Sequence, residues 1–515
     1  MSVAHFLLQD SLTHSAARLG AKTALVVEGR SYSYTELCAA AQRLAGALRR
    51  LGLERGDRVA IYMDNTWPCV VAIYGALLAG GVFLVINPQT KADKLEFVLD
   101  DSDARILLTD SHLQSVFEPV LVRAAKLIAT ICSGTPPDAP NILAFDALLG
   151  DGEPKSLLGE AIPLDLAALI YTSGSTGTPK GVMHTHQSML FAINSLTRYL
   201  RLAESDRLLC ALPLAFDYGL YQLLMAVALG ATLVLERSFT FPAQVFARLE
   251  EQDVTVFPGV PTIFAMLLAA HAREPLCFPK VTRVTNTAAA LPDDFTKRLR
   301  SVFPNALLYK MYGLTECKRV SYLEPELIDS KPGSVGKAIP GTETYLLSPE
   351  GQPVPPGETG ILHVRGPHVM LGYWKRPDLS ARMLKAGRLP GERVLCTQDY
   401  FRMDEQGFLY FVGRNDDIIK TRGEKVSPVE VENAMHGIPG ISQVAVIGVP
   451  DELLGQAIRA YVVLENGSSL SAKQIRAQCL ARLENYMVPK DISICTELPV
   501  TATGKVSKKI LQEQN

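Results

Sequence analysis

The chain has 515 residues, of which 48% are hydrophobic and 20% charged, and its formal net charge is −2. A composition of this kind excludes disordered, collagen-like and low-complexity classes, and the length corresponds to about three domain-sized units. Near-neutral charge gives no electrostatic footprint for nucleic acid, so any bound anion must be held by a local site.

The N-terminal stretch MSVAHFLLQDSLTHSAARLG places Asp10 among its apolar residues and lacks a basic leader, which predicts no signal peptide. Nine cysteines are scattered with no C-x-x-C spacing, a pattern of a reducing compartment rather than of a disulfide framework or zinc site. Together these predict a cytoplasmic protein. Residues 68–86, PCVVAIYGALLAGGVFLVI, carry no charge and approach membrane-span length. Gly80 and Gly81 split the run, however, and predict a buried helix followed by a buried strand, with no membrane span.

Apolar, β-branched runs at 58–64, 82–87, 104–110, 167–173, 232–237 and 255–260 read as strands, alternating with helical patterns such as 33–52 and 241–252. This alternation predicts a large α/β region with mainly parallel, covered sheets. After about residue 340 short strands with turn signals follow (344–354, 359–366, 405–414), predicting an antiparallel part that is barrel-like or a distorted sheet. From about 415 a new unit begins, with helices at 427–437 and 469–483 and strands at 442–451 and 457–465. The expected fold class is therefore α/β: a large N-terminal domain over 1–413 with a barrel-like part, and a small, mobile C-terminal α/β domain over 414–515.

The densest chemical signal is YTSGSTGTPKG at 171–181, directly after the apolar strand. Its glycines free backbone N–H groups, its hydroxyls add donors and Lys180 adds charge, a combination suited to wrapping a phosphate chain. It is not a Walker A loop, because Pro179 precedes Lys180 and Gly181 follows it.

This loop resembles the signature of the adenylate-forming superfamily, which includes acyl-CoA synthetases, peptide-synthetase adenylation domains and luciferases. MYGLTE (311–316), GKAIPGTE (336–343), GYW (372–374), the Asp399 region, GRNDDIIKTRGEKVSPVEVE (413–432) and PVTATGKVSKKIL (499–511) follow in the family's order, so the resemblance covers essentially the whole chain. It implies activation of a carboxylic acid by ATP as an acyl-adenylate, with Mg2+, and transfer to the thiol of CoA or of a carrier-protein phosphopantetheine.

Residue by residue, the resemblance implies that Thr172, Ser173, Gly174, Ser175, Thr176, Gly177 and Lys180 hold phosphates. It implies that Tyr312 stacks on adenine, that Thr315 touches the α-phosphate and that Glu316 helps hold magnesium. Asp399 matches the ribose-binding aspartate, although Gln398 stands where glycine is commonest, and Arg414 matches the arginine that also reaches ribose or phosphate. Lys505 matches the near-C-terminal catalytic lysine, Asp416 the hinge, and Gly423 the glycine of the thiol channel.

The segment LPLAFDYGLYQLL (212–224) occupies the family's acyl-pocket position, with Phe216 beside the pocket, Tyr218, Gly219 and Tyr221 lining it, and Ala288, Ala289 and Ala290 on a loop beside adenine. Asp217 leaves two readings open. In amino-acid-activating members an aspartate here pairs with the α-ammonium, which implies an amino-acid substrate and a peptidyl carrier protein as partner; or Asp217 is satisfied at a helix start, and the substrate is a plain carboxylic acid. A luciferase-like oxygenase and an ADP-forming ATPase are the remaining alternatives.

Overall fold

The computed structural model describes residues 5–139, 141–150, 161–173, 179–287, 291–414, 417–421, 424–451, 454–501 and 505–513. The parallel half of the largest sheet runs in the order Leu307–Tyr312, Arg283–Asn286, Val256–Gly259, Arg207–Cys210, Thr232–Leu235, Thr23–Val27. The strands expected at 232–237 and 255–260 are both here, shorter by one to two residues at their ends. A second sheet carries the parallel strands Val82–Ile86, Arg58–Tyr62, Ala104–Asp110 and Ala129–Ser133, and the antiparallel hairpin Leu166–Ser173 with Pro179–Thr185.

The uncharged run at 68–86 is a buried helix, Trp67–Leu78, feeding the buried strand Val82–Ile86. Every residue from Cys69 to Leu78 in that helix is buried, which explains why it shows no polar face. Gly75 lets it lie tightly on the helix Tyr34–Arg50, since a Cβ there would meet Leu44 Cδ2 at 2.8 Å. Among the described residues no helix is long and apolar enough to cross a membrane.

Of the two forms expected for the antiparallel part, the strands Ser321–Leu323, Ser334–Ala338, Leu409–Arg414, Arg393–Met403, Thr359–Arg365 and Glu343–Leu347 take the open-sheet one, with no closed barrel among the described residues. Leu307–Tyr312 pairs antiparallel with Ser321–Leu323, so this series simply extends the parallel sheet and ends on an open edge at Glu343–Leu347. Short strands with turn signals look the same in sequence whether or not the last one finds the first.

The small C-terminal domain has its own sheet, built on the long pair Ile441–Asp451 and Gly455–Leu464, with Asp491–Cys495 added in parallel. Helices Pro428–His436 and Ala472–Leu480 cover it, with Val431, Met435, Ile475 and Cys479 buried in a core of its own. Ser427 and Ser471 cap these helices through their side chains. The ion pair Arg298–Glu465 at 3.0 Å, and Phe295 packed edge-on to His436, join the two domains in this pose.

Candidate active site

Tyr312, Asn286, Gly259 and Cys210 end successive parallel strands, so the loops that follow them emerge along one edge of the sheet. In open α/β sheets this carboxyl edge is where ligands sit. The loop after Cys210 delivers Phe216 and Asp217, and the loop after Tyr312 delivers Thr315 and Glu316. The second sheet faces them with the hairpin whose described ends are Ser173 and Pro179, and in its register Thr172 and Lys180 are Cα partners one step back.

Of the phosphate-loop residues, Gly174, Ser175, Thr176 and Gly177 lie outside the described residues, and Ser173 is described only in its backbone. Thr172 presents a buried Oγ1 with no hydrogen-bond partner. Lys180 Nζ donates to Tyr373 Oη at 2.9 Å and lies 3.7 Å from Glu316 Oε1. The Tyr373 hydroxyl in turn donates to Glu316 Oε1 at 2.6 Å, and burial beside that carboxylate pushes its pKa far up, so it stays a donor. The backbone of Thr315 is held through its carbonyl oxygen, 2.9 Å from His184 Nε2.

A second cluster joins the two halves of the large sheet. Asp399 and Arg414 are Cα partners on adjacent antiparallel strands, with Arg414 Nε 3.7 Å from Asp399 Oδ1. Tyr312 donates its hydroxyl to Asp399 Oδ2, and its ring packs edge-on to Phe401 at 4.7 Å and parallel to Phe411 at 6.1 Å. Burial raises the Asp399 pKa to about 6 against the opposing pull of Arg414 and the Tyr312 hydroxyl. Gln398 has a φ of 61°, the left-handed region, which accounts for the preference for glycine at that position.

Asp217 opens the helix Asp217–Leu229, as its position in the sequence suggested. Its carboxylate has a cationic neighbour from within the chain: Arg319 Nη1 lies 3.6 Å from Asp217 Oδ2. Phe216 is the residue preceding the first helical turn. Gly219 fits directly against the backbone, where a Cβ would meet Pro213 O at 2.4 Å. Tyr218 and Tyr221 are both buried, but they differ in their hydroxyls. That of Tyr218 bonds Thr285 O at 2.8 Å and so anchors the helix to the sheet, whereas that of Tyr221 has no partner.

Lys505 approaches this assembly from the C-terminal domain. Burial lowers its pKa, with Arg414 and Arg319 adding to the effect, while the carboxylates of Asp217 and Asp399 act the other way. The charges of both clusters, Asp217 with Arg319 and Asp399 with Arg414, thus reach this ammonium. Asp416, Gly423, Ala288, Ala289 and Ala290 lie outside the described residues.

Three groups were not singled out from sequence. Tyr373 lies in the GYW segment, yet its bridge between Lys180 and Glu316 depends on an edge strand, Gly372–Tyr373, adding to Pro179–Thr185. Asn286 Nδ2 and Thr287 Oγ1 are buried without partners at the strand end that leads to the alanine loop. The TNT run at 285–287 was the available signal for them. Lys318 and Arg319 are buried beside Asp217, and a charged pair directly after MYGLTEC was a signal in plain view.

The sequence matches the AMP-binding enzyme family over residues 12–374 and the AMP-binding enzyme C-terminal domain over 430–505. It is 32% identical to a long-chain-fatty-acid–CoA ligase of Bacillus subtilis (strain 168), over 98% of this chain and 94% of that protein. It is 34% identical to a feruloyl-CoA synthase of an Amycolatopsis species, over 94% of each. Among solved structures, an anthranilate CoA ligase in complex with anthranoyl-AMP superposes with a TM-score of 0.92 at 26% identity, covering 99% of this chain and 98% of that one. A benzoate CoA ligase from Burkholderia xenovorans LB400 gives 0.89 at 28% identity, covering 99% and 100%. The chain therefore belongs to the AMP-binding enzyme family, as an adenylate-forming acid:thiol ligase.

Proposed function

We propose that this protein joins a small-molecule carboxylic acid to the thiol of CoA, with the residues brought together above as its machinery. The observation that carries this is the convergence of Lys180, Glu316 and Tyr373 on one side and Asp399, Arg414 and Tyr312 on the other, with Lys505 of the small domain within reach of the charges of Asp399 and Asp217. The full-length CoA-ligase relatives favour CoA over a carrier protein as the acceptor.

In the first step a substrate carboxylate oxygen attacks the α-phosphorus of ATP and pyrophosphate leaves. In the second the thiol attacks the acyl carbon and AMP leaves with the bonding pair. Asp399 accepts the ribose hydroxyls, and Arg414 keeps its carboxylate ionised. Tyr312 offers its ring face to adenine. Lys180 and Thr172, together with the loop from Ser173 to Gly177, hold the phosphate chain. Thr315 and Lys505 meet the charge that develops between the acid and the α-phosphate, and a preorganised ammonium there lowers the barrier without moving a proton.

Glu316 suits a hard divalent cation: it is one buried carboxylate beside a phosphate loop, the arrangement Mg2+ uses when it binds through one acidic side chain and substrate oxygens. Such an ion supplies charge neutralisation on the phosphates. Phe216, Asp217, Tyr218, Tyr221 and the loop carrying Ala289 form the acyl pocket. The domain boundary falls at 413/414, Asp416 is the hinge for the change of pose between the two steps, and Gly423 lines the thiol channel.

Asp217 carries less of the substrate choice than its position implies. With Arg319 already 3.6 Å away, its charge is answered inside the protein, and the carboxylic-acid reading is favoured over the amino-acid one. ATP–pyrophosphate exchange across amino, fatty, aryl and short-chain acids tests this reading. Exchange stimulated by simple carboxylic acids, with CoA consumed on its addition, is the expected result; stimulation by amino acids alone would refute it.

A further inference from the structure

Directly after Glu316 the chain buries two cations in succession. Lys318 is 1% and Arg319 3% exposed. The turn that places them is tight: Gly313 lies under the Lys318 carbonyl, where a Cβ would come within 2.2 Å of its oxygen, and Lys318 itself has a φ of 65°. A lysine held in the left-handed region at a site is strain that the surrounding structure maintains, and such residues concentrate where ligands bind.

The charges there do not balance. Asp217 faces Arg319, whose guanidinium also stacks 4.9 Å from the Tyr218 ring centre. Glu316 is engaged by Tyr373 and Lys180. The ammonium of Lys318 has no hydrogen-bond partner and lies 5.2 Å from the centre of the Tyr221 ring, whose hydroxyl is also unpartnered. Asp217 also lies near this ammonium but is already answered by Arg319, and a buried ammonium with a ring face beside it and no hydrogen-bond partner is costly unless a further anion completes it.

We propose that the acyl pocket takes a carboxylic acid carrying a second anionic group, and that the Lys318 ammonium and the Tyr221 hydroxyl receive that group. This rests on the ligase reading above. The reacting carboxylate lies toward Thr315 and Lys505, and the second anion reaches the strand-end turn at Lys318. An amino acid is disfavoured by the same geometry, because its α-ammonium would add a further cation to Lys318 and Arg319 around the carboxylate of Asp217.

The test compares α,ω-dicarboxylic acids with monocarboxylic acids of equal length, and with amino acids, in AMP release by the full-length enzyme. A charge-assisted hydrogen bond in a buried pocket predicts that kcat/KM favours the diacid about tenfold or more. Lys318→Met is expected to shrink that ratio by about tenfold, through KM, while Lys318→Arg retains most of it. Parity between diacid and monoacid in the wild type, a preference for amino acids, or an undiminished ratio in Lys318→Met would overturn the proposal. Calorimetric binding of the same acids to the wild-type protein with AMP reads the pocket without turnover, and without a variant that must fold. Tighter diacid binding there supports the assignment and equal binding refutes it. Absence of AMP release with every acid would instead count against the ligase reading alone.

Discussion

Tyr373→Phe removes one oxygen from the point where the phosphate-loop lysine and the buried glutamate meet. In the wild type that hydroxyl accepts from Lys180 Nζ at 2.9 Å and donates to Glu316 Oε1 at 2.6 Å. Without it, Lys180 and Glu316 are left 3.7 Å apart, a separation at which their attraction is roughly 4–5 kcal/mol at an effective dielectric of about 20. The two side chains are then expected to close on each other. Lys180 is drawn from the phosphates, and the carboxylate becomes less available to a divalent ion. Each lost hydrogen bond to a charged group is worth about 1.5–3 kcal/mol, so kcat/KM for ATP in the adenylation half-reaction should fall about 10- to 100-fold. ATP–pyrophosphate exchange at varied ATP reads this, with thermal unfolding as a control for the fold. An exchange rate within about twofold of wild type, in a normally folded variant, would refute the bridging role.

Lys505→Ala should suppress pyrophosphate exchange by about 100-fold or more while nucleotide binding, followed by calorimetry, persists, because the ammonium serves the charge of the transition state; full exchange would refute the assignment. Asp399 has its folded pKa raised to about 6, above its unfolded value. The free protein therefore gains stability from this group as pH falls through about 6, whereas AMP affinity, which needs the carboxylate, should fall over the same range. Asp399→Asn should remove that pH dependence. Gln398→Gly relieves a left-handed φ worth about 1–2 kcal/mol but adds about 0.5–1 kcal/mol of unfolded-chain entropy, so chemical denaturation should show a change between about zero and 1.5 kcal/mol in favour of the variant. A loss above about 1 kcal/mol would contradict the strain.

Strands such as 58–62 and 104–110 were legible because buried parallel strands write themselves as unbroken β-branched runs, and the phosphate loop because its composition has few other uses. The small domain was legible for a related reason, since its helices begin at Ser427 and Ser471 in plain capping patterns. What sequence hid is what depends on chain crossings. Tyr373 meets Glu316 only because a two-residue edge strand docks beside Pro179–Thr185, and nothing local announces that pairing. Arg319 answers Asp217 across a loop and a helix start far apart in the chain, so the aspartate looked unpaired when read alone. The choice between a barrel-like and an open distorted sheet was not legible, because closure is a property of the first and last strands together and no strand carries it by itself.

Formation of an acyl-adenylate at this site is tested most directly by the fate of one oxygen atom. A substrate acid whose carboxylate carries heavy oxygen is turned over with ATP and CoA, and the products are examined by mass spectrometry. Attack of the carboxylate on the α-phosphorus predicts that one labelled oxygen leaves in AMP, with pyrophosphate unlabelled. Label recovered in orthophosphate, with ADP as the nucleotide product, would contradict the account.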